Sequence, residues 1–140
     1  VKPVEIIHEM RRLLKDGSAW CKGSYARWEY PDPDNYDDGR PVGWCLVGAG
    51  LRAVGENVGS NCDKYDRADY IAQYEGLTEA LAVITRITQE QFPDRLLEYQ
   101  AFDGDRPLAV IPRFNDLDQT TWVEVDRVLD KAEVTLNETV

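Results

Sequence analysis

Gly48, Gly50 and Ala53 stand at G-x-G-x-x-A spacing after the apolar run Trp44-Cys45-Leu46-Val47, and an acid, Asp69, follows about 20 residues on. In a dinucleotide fold that pattern lets the backbone approach a pyrophosphate at a helix N-terminus, while the acid holds the ribose. The surrounding residues do not supply that setting. No β-run ends at Asp69, because Asp66-Arg67-Ala68-Asp69-Tyr70 is charged and helix-like, and no strand–helix alternation occurs elsewhere. The glycines are therefore read as part of a buried helix, and no cofactor is expected.

Cysteine chemistry is equally poorly supported. Cys21, Cys45 and Cys62 are spaced by 24 and 17 residues with no C-x-x-C, which fits neither a disulfide framework nor a zinc site. A nucleophilic thiol needs a base, and the single histidine, His8, plots on a polar helix face beside Arg12 and Lys15. The thiols read as ordinary ones in a reducing compartment. Asp32, Asp34, Asp37 and Asp38 approach the acid density of a calcium loop but lack its cadence and its closing glutamate, so a solvated acidic loop and no metal are expected. Trp20, Lys22, Tyr25, Arg27 and Trp28 combine stacking surfaces with cations, as single-stranded nucleic-acid sites do. The charge around them has the wrong sign, so the tryptophans are expected to cover the core while Lys22 and Arg27 pair with the acidic loop downstream.

Sixteen Lys and Arg stand against 26 Asp and Glu, a formal net charge of −10. The charge is divided: residues 1–30 carry six bases and four acids (+2), and the other 110 carry ten bases and 22 acids (−12). Such a field repels nucleic acid and anionic membranes and favours a basic protein surface. The 140 residues fit one domain able to bury its own core. No apolar run approaches the roughly 20 residues of a membrane span. Val1-Lys2-Pro3-Val4-Glu5 lacks the apolar stretch of a signal peptide, so a cytoplasmic location is expected.

These residues must be held by regular elements. Ile6, Ile7, Met10, Leu13 and Leu14 form one face of a helix over 4–16, with Pro3 at its start and Gly17 at its stop. Pro and Gly make 30–41 a loop. Residues 42–56 are apolar almost all round a helical plot, the mark of a buried central helix, whose one charge, Arg52, would need a carboxylate partner. A loop at 57–66, a short helix within 67–75 and a helix over Thr78–Gln91 follow. The stretch 94–119 reads as irregular, with a short helix near 95–99 and an extended 108–111. Thr121-Trp122-Val123-Glu124 has capping-box spacing and opens the last helix. The fold class predicted is mainly α: about four helices around 42–56, with long loops at 30–41 and 94–119.

The order of landmarks is itself distinctive: Trp20-x-x-Gly23-x-x-Ala26, then Asp38-Gly39, then Trp44-Cys45-x-x-Gly48-Ala49, and late Asn115-Asp116 with Thr121 opening a helix. It resembles a family of small uncharacterised bacterial and phage proteins, a domain of unknown function. The chain departs from that pattern in its 30–37 loop and in Gly50. The resemblance implies a compact, mainly helical domain with no established activity, so it transfers no functional residues. The recurrence of Asp38, Asn115 and Asp116 suggests a shared site.

The function expected is that of a non-enzymatic acidic protein-binding module, with Asp32, Asp34, Asp37, Asp38, Asn115 and Asp116 as binding residues. Its partner would be a basic protein surface, such as a nucleic-acid-binding groove blocked by a phage or mobile-element inhibitor. No direct contact with nucleic acid or membrane is expected. A surface charged only for solubility is the competing explanation. The enzymatic alternative is a small hydrolase or nucleotide-processing protein using Asp38, Asn115 and Asp116 near Arg52.

Overall fold

The computed structural model describes residues 1–30, 34, 39–59, 63–95 and 110–138. Its first element, α1 (Pro3–Leu14), buries Ile6, Ile7, Met10 and Leu14 on one stripe. Pro3 occupies the first turn, where its missing N–H costs nothing, and the Glu5 carboxylate accepts from the Lys2 N–H at 3.3 Å. The helix ends in three successive left-handed residues, Lys15, Asp16 and Gly17, the last at φ 97°. A Cβ on Gly17 would also meet the Trp122 ring at 2.6 Å, so only glycine fits the stop that the sequence predicts.

Beyond it, Ala19 to Cys21 run beside the end of β2 (Arg40–Trp44), which also pairs antiparallel with β1 (Ala26–Glu29). Trp44 thus sits between two neighbours: its N–H donates to Ala19 O at 2.8 Å, its carbonyl accepts from the Cys21 N–H at 3.1 Å, and Ala26 faces it in β1. Cys45 then caps α2 (Leu46–Ala53), whose residues Leu46 to Leu51 are all buried. The long α4 (Leu77–Gln91) follows the single turn and a half of α3 (Ala68–Ala72). The chain closes with α5 (Val110–Asp116) and α6 (Trp122–Glu138).

The domain is mainly helical, as predicted, and α2 is its centre: α1, α4 and α5 pack on it, while α6 closes over α1 and α4. Ile6, Met10, Leu51, Leu77, Leu81, Ile84, Phe114 and Val128 meet in one continuous core. Each such side chain contributes about 1.5–3 kcal/mol by leaving water. The capping box of α6 forms as its spacing predicts, with Thr121 N–H donating to Glu124 Oε1 at 3.0 Å and Glu124 N–H to Thr121 Oγ1 at 3.4 Å. Across the α1–α6 seam, Arg11 meets Asp126, Asp130 and Glu133.

Four expectations need correction. The predicted helix over 42–56 is a strand end followed by a shorter helix, because pairing with β1 and with Ala19–Cys21 claims residues up to Trp44. A buried strand and a buried helix have the same unbroken apolar pattern, so periodicity could not separate them. For the same reason Arg40 and Pro41 belong to β2 rather than to the 30–41 loop. Within 94–119, residues 110–116 are helical: Pro112 lies in the first turn of α5, where an N–H has no intrahelical partner to lose. Arg52 is exposed at the C-terminal end of α2 and needs no buried partner. Lys22 donates to Leu117 O at 2.6 Å, where its charge suits the carbonyl end of α5, and the expected pairing with the acidic loop falls on residues outside those described.

Candidate functional site

Asn115 and Asp116 are brought to the N-terminal end of α2 by the last turn of α5. Asn115 is completely buried. Its Oδ1 accepts from Trp20 Nε1 at 2.7 Å and from the Leu46 N–H at 3.1 Å. Its Nδ2 donates to Cys21 O and to Asp116 Oδ1, both at 3.0 Å. Those four bonds use the full capacity of a carboxamide. Between Cys21 O and Leu46 N–H the amide takes the place of a peptide group, completing a ladder where the two backbones part. Asn115 therefore works as an internal strut, with nothing left to offer a ligand.

Asp116 is different. Its Oδ1 is fixed by Asn115 Nδ2 and by the Gly23 N–H at 2.9 Å, while the residue stays exposed. No lysine or arginine among the described residues forms an ion pair with it. Two adjoining hollows share its carboxylate. The first, about 90 Å³, is lined by Gly23, Ser24, Tyr25, Cys45, Pro112 and Asp116. The second, about 230 Å³, is bounded by Pro112, Arg113, Asp116 and Leu117 and is the more open. Ser24 and Pro112 carried no signal in the sequence, and Tyr25 stood out only within the aromatic–basic stretch, because the hollow exists only where segments about 90 residues apart meet.

Asp34 is exposed in a turn, and Asp32, Asp37 and Asp38 lie outside the described residues. Arg52 is six residues along α2 from Leu46, roughly 9 Å down the axis, and so stands apart from Asn115 and Asp116. His8 meets Glu133 on the α1–α6 surface, with Nδ1 to Oε1 at 3.1 Å, and bonds neither described cysteine.

The G-x-G-x-x-A spacing has a packing cause. Gly48 and Gly50 lie inside α2, and a Cβ on Gly48 would fall 1.8 Å from Tyr25 O. The amides of the first turn are occupied: Leu46 N–H by Asn115, and Gly48 N–H by Cys45 Sγ at 3.4 Å. No phosphate can be cradled there. Burial pushes the Cys45 thiol up to about 12 and raises Cys21 as well, so both are protonated at neutral pH. Among the described residues no three His, Cys, Asp or Glu side chains gather as a metal site, and no helix is long and apolar enough to cross a membrane.

The sequence model of DUF6197, a family of unknown function, matches residues 1–135. The chain belongs to this family. That assignment spans every element described above, from α1 through most of α6, so the Asn115 strut and the Asp116 hollows lie within the DUF6197 domain. Neither a curated protein nor a solved structure matches the chain.

Proposed function

We propose that this DUF6197 protein is a non-enzymatic acidic binding module that docks on a basic surface of a partner protein, with Asp116 as an anchored contact. The observation that carries the reading is the state of that carboxylate: one oxygen is held by Gly23 and Asn115, and no cation of the described fold neutralises it. A pre-oriented carboxylate loses little freedom on meeting a lysine or arginine, and the shared hollows offer room for such a side chain. The net charge of −10 steers a basic partner toward it. Asp118, exposed two residues further on, adds a second acid beside it. A partner whose basic groove serves nucleic acid would be blocked by occupancy, which is the action of a phage or mobile-element inhibitor.

The test is affinity capture with wild-type and Asp116→Asn baits. The expected result is a basic partner held at low salt, released by roughly 0.5 M salt, where screening acts over about 4 Å, and held at least five-fold more weakly by the variant. A partner indifferent to both salt and the substitution, or no partner at all, would overturn the reading.

A further inference from the structure

We propose that Cys21 and Cys45 form an oxidation-dependent disulfide at the mouth of α2. The geometry comes from the short parallel contact in which Trp20 pairs with Trp44, closed by Trp44 N–H to Ala19 O and Cys21 N–H to Trp44 O. One residue further in the same register, Cys21 stands beside Cys45. Paired residues of neighbouring strands point to the same face and lie about 4.8 Å apart, inside the roughly 4.4–6.8 Å that a disulfide requires between Cα atoms. Trp20–Trp44 is the last direct bridge, Cys21 N–H still donates to Trp44 O, and the Asn115 amide then spans Cys21 O and the Leu46 N–H, so the two cysteines flank the point at which the backbones begin to part. Both are free thiols. Cys45 lines the 90 Å³ hollow, which admits a small oxidant, and Cys21 is the more exposed of the two, at 9% against 4%.

With hydrogen peroxide as oxidant the chemistry balances. The Cys21 thiolate attacks one peroxide oxygen, the O–O bond breaks, and Cys21 becomes a sulfenic acid with release of hydroxide. Cys45 sulfur then attacks the sulfenyl sulfur, the S–S bond forms and the S–O bond breaks. The departing hydroxide and the Cys45 proton leave as water, so two thiols reduce one peroxide to two waters. Burial keeps both thiols protonated, which makes the pair slow to oxidise and increasingly reactive as pH rises. The new bond draws Cys45 Sγ from the Gly48 N–H, so it loosens the α2 cap and reshapes the hollow that Asp116 shares. The proposal stands on the backbone register and does not depend on the binding reading.

The experiment is peroxide oxidation of the whole protein followed by alkylation and non-reducing peptide mass spectrometry. Expected is a Cys21–Cys45 linked peptide with Cys62 recovered as an alkylated thiol, formed about tenfold faster per pH unit between 7 and 8.5. Cys45→Ser keeps a capping side chain and the fold. In that variant dimedone should trap Cys21 as a sulfenic acid with no linked peptide. Recovery of Cys21 and Cys45 as free thiols from oxidised wild type, or linkage through Cys62 or to a second chain instead, would overturn the proposal.

Discussion

Arg11 Nη1 donates to Glu133 Oε2 at 2.7 Å across the seam between the first and last helices. The same guanidinium reaches Asp126 at 3.3 Å and Asp130 at 3.4 Å, so one cation offsets three carboxylates of α6. Arg11→Met keeps the aliphatic packing and leaves those acids facing one another. The expected loss is about 1–2 kcal/mol in urea denaturation, with much of it recovered at high salt because the pairs are partly exposed. A loss unaffected by salt would assign the effect to packing.

Asn115 supports the largest single polar penalty. Asn115→Ala strands the Trp20 indole N–H, the Leu46 N–H and the Cys21 carbonyl without partners in the interior. About 3–4 kcal/mol of destabilisation is expected. Asn115→Asp retains the acceptor but loses the donor and sets a second charge beside Asp116, so it should do no better. Thermal unfolding of both variants checks the order.

Gly48 and Gly50 separate two roles that look identical in the sequence. Gly48→Ala drives a methyl into the Tyr25 carbonyl, which cannot move without breaking its bond from the Cys45 N–H, and about 3 kcal/mol or outright failure to fold is expected. At Gly50 the nearest neighbour is the Leu77 Cδ1 methyl at 3.2 Å, which can give way. The helix-propensity gain of about 1 kcal/mol then offsets the crowding. Soluble yield and melting temperature of the pair decide the point.

Glu124 carries a specific pH signature. The Arg95 guanidinium bonded to it holds its carboxyl down at about 2, from an ordinary 4.5. A folded-state value below the unfolded one means that the pair stabilises the protein above about pH 4.5 and progressively ceases to do so as pH falls toward 2. Glu124→Gln keeps the capping contact to Thr121 while removing the charge. The expected cost is about 1 kcal/mol at pH 7 after allowing for solvent screening, shrinking to nothing near pH 2. Denaturation series at several pH values would reveal a constant gap if the pair did not matter.

Legibility in the sequence tracked how local the cause was. The stripe of α1, its stop at Gly17 and the Thr121–Glu124 box are set by neighbours within one or two helical turns, and all three form as predicted. The division of 42–56 was hidden because β2 is buried by a strand and a loop that pair with it from elsewhere in the chain. The 108–111 stretch reads as extended, yet 110–116 are helical, with Pro112 standing where a helix tolerates it. Asn115 drew attention as a polar landmark, and its four partners come from Trp20, Cys21, Leu46 and Asp116. No spacing rule connects residues 95 positions apart, so its structural role became visible only with the fold.

Because the Asn115 carboxamide stands in for a peptide group, the rung between Cys21 and Leu46 can close only after α5 has docked. Hydrogen exchange at the Leu46 amide and at the Trp20 indole should therefore slow together and be lost together, reporting a single opening event. Two protons held by one amide oxygen thus time the arrival and departure of one seven-residue helix.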